Sequence, residues 1–117
     1  MDYCEIVKDL QIWLEMQMES PHLLTIDCVA KKSGYSKWHL QRIFRGVTGV
    51  NLGRYIRDKR LNMASVALRH GELDIIEIAI LYGFDSQASF TRSFKKKFGH
   101  TPAMYRKTYV LESDYSQ

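Results

Sequence analysis

The chain has 117 residues, 45% of them hydrophobic, with a formal net charge of +4. That suits one ordinary domain, or two small ones sharing a core, and excludes a disordered tail. The longest apolar run, Ile75 to Phe84, is interrupted by Glu77, and the acidic N-terminus lacks an apolar signal core, so neither a membrane span nor a secretory leader is expected.

Residues 3–18 place Ile6, Leu10, Trp13 and Leu14 on one side of a helix, with Asp2 and Glu5 at capping-box spacing at its start. Ser20-Pro21 stops it. Thr25 caps a short helix carrying Ile26, Val29 and Ala30, which ends at Gly34. A third helix begins near Ser36, with Leu40, Ile43, Phe44 and Val47 as its buried stripe, and Gly46, Thr48 and Gly49 break it. Asn51 caps a long helix to about Arg69, and His70-Gly71 ends it. Asp74 and Glu77 form a second capping-box pair, opening a helix that ends at Gly83. Asp85 or Ser86 starts a helix reaching Phe98, with Phe90, Phe94 and Phe98 at four-residue spacing. Thr101-Pro102 opens a short last helix, with the polar tail after Tyr109 fraying. No stretch sustains strand alternation, so the fold is expected to be all-α with about seven helices.

Charge is distributed in blocks. Residues 1–30 hold one Lys and six acids, whereas residues 31–60 hold nine Lys or Arg and one acid. Residues 61–91 are net −3 and residues 92–107 net +6. Clustered basic charge is the footprint of a polyanion partner. Cys4 and Cys28 form no CxxC and suit reduced thiols in a cytosolic protein.

An internal repeat underlies these blocks. Val29-Ala30-x-x-x-Gly34-Tyr35 matches Ile78-Ala79-x-x-x-Gly83-Phe84 at an offset of 49. Leu40, Arg42, Phe44, Gly49 and Tyr55 match Phe90, Arg92, Phe94, Gly99 and Tyr105 at an offset of 50, so the second turn has one added residue. Each copy reads helix, glycine turn, helix, which is the layout of a helix-turn-helix. The division expected is residues 1–50 and 71–109 as two helix-turn-helix subdomains, residues 51–70 as a linker helix and 110–117 as a flexible tail. A linker of that length spans nearly 30 Å at about 1.5 Å per residue, close to the roughly 34 Å between adjacent major grooves.

The second helix of each copy carries an unusual exposed stripe. In the first it is Trp38, Gln41, Arg42 and Arg45, and in the second Gln87, Ala88, Thr91, Arg92 and Lys95. Arg pairs with guanine, Gln with adenine, and methyl groups touch thymine, while later cations reach phosphates. Of Lys95, Lys96 and Lys97 at most two can face one phosphate backbone, which leaves the third for solubility. On the linker, Arg54, Arg57, Lys59 and Arg60 either touch the DNA backbone or form its wet face.

Residues Ser33 to Phe44, Leu52-Gly-Arg-Tyr-Ile-Arg57, Gly83-Phe-Asp-Ser-Gln, Phe90-Thr-Arg-Ser-Phe-Lys95, Thr101-Pro and Tyr105-Arg106 resemble the AraC/XylS family of bacterial transcription regulators, over about residues 4–107. The similarity is to its small stand-alone activators, the MarA/SoxS/Rob subgroup. It implies a monomer that binds a degenerate, asymmetric promoter site, with two recognition helices in adjacent major-groove segments. It further implies recruitment of RNA polymerase at multidrug and oxidative-stress resistance genes, in the bacterial cytoplasm on the chromosome. Carried over by position, Trp38, Gln41, Arg42, Gln87, Thr91 and Arg92 are the base-contacting residues, and Lys37, Arg45, Arg57, Lys95 and Lys96 reach the DNA backbone. Ala88 departs from the subgroup, which usually has Gln there, and Ser89 stands in place of Thr. The first unit is therefore expected to fix specificity and the second to tolerate more variation. The chain leaves no room for a separate small-molecule effector domain, so control by protein amount is expected.

No enzymatic constellation appears: there is no GxGxxG, Walker loop or HExxH, and His22, His39, His70 and His100 lack ligand spacing. Neither metal nor cofactor is expected. A membrane-surface protein would need an apolar stripe beside its cations, and here that stripe is used in the core. The alternative is a non-catalytic helical protein-interaction adaptor that uses the Trp38 face, and it predicts weak salt dependence and no affinity for DNA.

Overall fold

The computed structural model describes residues 2–17 and 25–115, with side chains up to Tyr109. The stop expected at Ser20-Pro21 lies outside the described residues. Seven helices and no strand occur among those described: α1 (Tyr3–Met16), α2 (Ile26–Ser33), α3 (Lys37–Thr48), α4 (Leu52–His70), α5 (Ile75–Leu81), α6 (Gln87–Phe98) and α7 (Pro102–Tyr115). None of the helices is long and apolar enough to cross a membrane.

Helix starts follow local chemistry. Asp2, Thr25, Ser36 and Ser86 each place a side-chain oxygen on a first-turn amide, satisfying a donor the helix cannot. Asn51 Oδ1 accepts from the amides of both Gly53 (2.8 Å) and Arg54 (3.3 Å). Asp74 differs from the capping-box expectation: it occupies the cap position with extended backbone, but its side chain makes no capping bond. Gly46 does not end α3. The helix runs through it to Thr48 and stops at Gly49, whose φ of 77° is the left-handed conformation that ends helices cheaply only in glycine. α7 continues to Tyr115, past the expected end at Tyr109, because no glycine or proline follows Pro102.

The chain forms two compact units, Met1–Arg57 and Asp58–Gln117. Their boundary falls inside α4, whose Leu52 and Ile56 belong to the first core and whose Leu61, Ala64 and Leu68 belong to the second. In the first unit Val7, Leu10, Leu14, Val29, Ala30, Leu40, Ile43, Phe44, Leu52 and Ile56 are buried together. In the second, Leu61, Ala64, Leu68, Ile78, Ala79, Phe90 and Phe94 do the same. The repeat holds at the level of single rings. Phe44 meets Tyr55 at 5.1 Å and 61°, and Phe94 meets Tyr105 at 5.2 Å and 75°. Ala30 and Ala79, each four residues before its turn glycine, are buried.

The turn of the second unit is tight. Gly83 has φ 84°, and a Cβ added there would lie 3.2 Å from Cζ of Arg60. Arg60 is half-buried against this turn, and burial lowers its pKa from the usual guanidinium value. Gly83→Ala combines left-handed strain with that collision and is expected to destabilise the protein by about 1–2 kcal/mol in urea unfolding. Unchanged stability would contradict the close approach.

Candidate nucleic-acid interface

α3 is positioned by the first core. Leu40 and Phe44 are fully buried, and Ile43 nearly so, which commits one face inward and turns Trp38, Arg42 and Arg45 out. Trp38 is 66% exposed, although a tryptophan of no further use would be expected to bury more of its ring. The Arg42 guanidinium sits 4.9 Å from the Trp38 ring centroid, a cation–π contact that pre-arranges both side chains on one surface. Beside them a groove of about 660 Å³ is lined by Tyr3, Ser36, Trp38, His39, Arg42 and Val47, among others. Nothing lies within 4 Å of a Cβ added at Gly46, which also lines it. Val47, expected in the buried stripe, is 38% exposed on this groove, because its glycine neighbour supplies no side chain to cover it.

Tyr3 and His39 line one side of the groove, and Tyr35 packs on His39. His39 packs edge-on against Tyr35 at 5.1 Å and 81°, and against Tyr3 at 6.5 Å and 87°. Tyr3 was not legible as a site residue. It is the first residue of α1, half-exposed, and reaches α3 only through the packing of α1 on that helix. Its phenol offers a hydrogen-bond donor at the groove edge.

Gln41 is half-buried and does not line this groove. Lys37 forms an exposed ion pair with Asp27 at 3.2 Å. Such pairs contribute about 0–1 kcal/mol, so Asp27 holds Lys37 only weakly. Arg45, Arg54 and Arg57 are exposed.

In the second unit, Phe90 and Phe94 are fully buried, and Gln87, Ala88, Arg92, Lys95 and Lys96 are turned out, with Thr91 half-buried among them. Lys97 has a different task from its two neighbours. Its ammonium donates to the Asp58 carbonyl at 3.2 Å and lies 3.8 Å from the Asp58 carboxylate, tying α6 to α4. It is a structural cation and not the solubility residue expected. Arg106 is another: its Nε donates to the Leu68 carbonyl at 3.0 Å and its Nη2 to that of Leu73 at 2.6 Å. One carbonyl in the last turn of α4 and one in the following loop are satisfied in this way.

Both units thus present one helix whose inner face is aromatic and aliphatic and whose outer face is amide, guanidinium and ammonium. That chemistry donates to base edges and phosphates. Among the described residues no cluster of three or more His, Cys, Asp or Glu could hold a metal ion.

Comparison with known proteins agrees with this geometry. A family profile for the helix-turn-helix domain matches residues 29–108. The chain is 54% identical over 108 residues to the transcriptional regulator Rob of Salmonella typhimurium, covering 92% of this chain and 37% of Rob. It is 49% identical over 106 residues to the regulatory protein SoxS of Escherichia coli, covering 91% of this chain and 97% of SoxS. Among solved structures it is similar to an AraC-type transcriptional regulator from Chromobacterium violaceum, with a TM-score of 0.77, 25% identity and coverage of 90% and 92% of the two chains.

Proposed function

The chain belongs to the AraC-type helix-turn-helix family of transcription regulators, the group that includes Rob and SoxS, and from that premise we propose a specific mode of action. The protein binds promoter DNA as a monomer, with α3 and α6 as its two recognition helices in successive major-groove segments. Bound there, it recruits RNA polymerase at bacterial genes for drug and oxidative-stress resistance, as a regulator of the cytoplasmic chromosome.

The observation that carries this reading is the duplicated outer face. Trp38 and Arg42 on α3, and Gln87 and Arg92 on α6, are exposed opposite fully buried partners on the same helices. On this reading Trp38, Gln41, Arg42, Gln87, Thr91 and Arg92 contact bases. Gln41 does so from the flank of the groove, not from within it. Lys37, Arg45, Arg57, Lys95 and Lys96 contact the backbone. Tyr3 joins them through its hydroxyl.

Selection of duplexes from a random pool tests these roles and defines the site in the same experiment. The protein enriches an asymmetric sequence. Arg42→Ala and Arg92→Ala each relax selection at a few defined positions, costing about 1–3 kcal/mol in discrimination, whereas Lys95→Ala weakens all sequences alike. If the arginine and lysine variants behave identically, the assignment of base and phosphate roles fails. Ala88 leaves α6 one amide short, so the half-site read by α6 comes out with lower information content than that read by α3.

A further inference from the structure

We propose that α5 and the adjoining end of α4 form a docking surface for a protein partner that presents a cationic amphipathic helix.

α5 is aliphatic at every position except Glu77. Ile78 and Ala79 are buried in the second core, yet Ile76 (45%), Ile80 (66%) and Leu81 (45%) remain exposed on the same seven-residue helix. Aliphatic side chains exposed on the side away from the core offer surface that a partner can cover. Here the core covers only one side. The exposed apolar surface continues on to α4. One shallow groove is lined by Leu73, Glu77, Ile80 and Leu81, and a second, of about 390 Å³, by Met63, Val66, Leu73 and Tyr82 together with His70 and Glu72. Leu73 belongs to both, so the two grooves are continuous. Contiguous apolar surface of this kind marks a protein interaction site.

Charge selects the occupant. Glu72 and Glu77 line the grooves and Asp74 follows Leu73 in the chain; all three are exposed, and none forms an ion pair with a described residue. Asp74 does not even spend its carboxylate on capping α5. The nearby cations are engaged elsewhere: Arg69 lies over the Tyr109 ring at 5.3 Å, and Arg106 is bound to the carbonyls of Leu68 and Leu73. The patch is therefore apolar in the middle and acidic at its edge, on a chain whose net charge is +4. Nucleic acid is repelled there. The complementary surface is a helix with aliphatic side chains on one face and Lys or Arg flanking them. The inference stands apart from the DNA reading, because none of these residues belongs to α3 or α6.

The probe is a fluorescent synthetic helix of about 18 residues with leucine on one face and lysine on the other, titrated into the full chain and followed by anisotropy. It binds, and the same helix with glutamate in place of lysine does not. Ile80→Lys and Glu77→Lys each weaken binding by about tenfold or more. Both positions are exposed and lie outside α3 and α6, so the fold, read by circular dichroism, and the base preference in the selected duplex stay unchanged. The proposal is overturned if either variant binds the lysine helix as tightly as the unsubstituted protein, or if the glutamate helix binds equally well. It is also overturned if the lysine helix fails to bind while Ile80→Lys dissolves a dimer of this chain in sedimentation equilibrium, which would make a second copy the occupant.

Discussion

Phe94→Ala lowers stability by about 3–5 kcal/mol and does so in the second unit. The ring is fully buried and meets Phe90 at 5.6 Å, Phe98 at 4.5 Å and Tyr105 at 5.2 Å. Truncation leaves a hole lined by three aromatic rings, which are stiff and close in poorly, so the cost lies in the upper part of the usual range. Phe44 occupies the equivalent place in the first unit, but among the described residues Tyr55 is its one ring partner, so Phe44→Ala costs less. Both tryptophans, Trp13 and Trp38, lie in the first unit, and this separates the two effects experimentally. In urea, the circular-dichroism transition of Phe94→Ala moves to lower concentration while tryptophan emission moves less. A loss below about 1 kcal/mol would show that the cluster can collapse around the missing ring.

Much of the fold was legible because the signals that built it are local. Ser36 and Ser86 cap α3 and α6 with bonds of 3.2 and 3.1 Å, and each position was readable from a hydroxyl just ahead of a periodic apolar run. The same holds for Gly49 and Gly99, which end those helices with φ of 77° and 82°. The repeat was legible because both copies need the same small residue and the same rings in the same places. Other features depend on contacts between distant residues. Tyr3 enters the groove only because α1 packs on α3, and nothing in the spacing of residues 3 and 39 announces it. Lys97 and Arg106 are cations by sequence, but whether a cation faces phosphate or a carbonyl is decided by what folds next to it. Asp74 shows the reverse case, a capping residue by pattern whose carboxylate is left without that bond.

Raising salt weakens DNA binding steeply, and the slope counts the cations that reach phosphate. With Lys37, Arg45, Arg57, Lys95 and Lys96 in that role, the log–log slope is about −4.5, a loss of about 500-fold between roughly 50 and 200 mM salt. Each alanine substitution among these five reduces the magnitude of the slope by about 1. Lys97→Ala is the informative control. Lys97 is bonded to Asp58 instead of being free on the surface, so its loss costs stability and leaves the slope unchanged. Lys37 tests the other side of the argument. Its ion pair with Asp27 is exposed and weak, so phosphate displaces the carboxylate, and Asp27→Asn tightens binding by freeing the ammonium and removing a negative charge from beside the DNA. A flat salt response would remove the phosphate contacts altogether and leave the exposed Trp38 face to a protein partner, as in the adaptor alternative. A slope that falls by about 1 in Lys97→Ala would mean that this lysine leaves Asp58 for phosphate, so that all three neighbouring lysines serve the DNA.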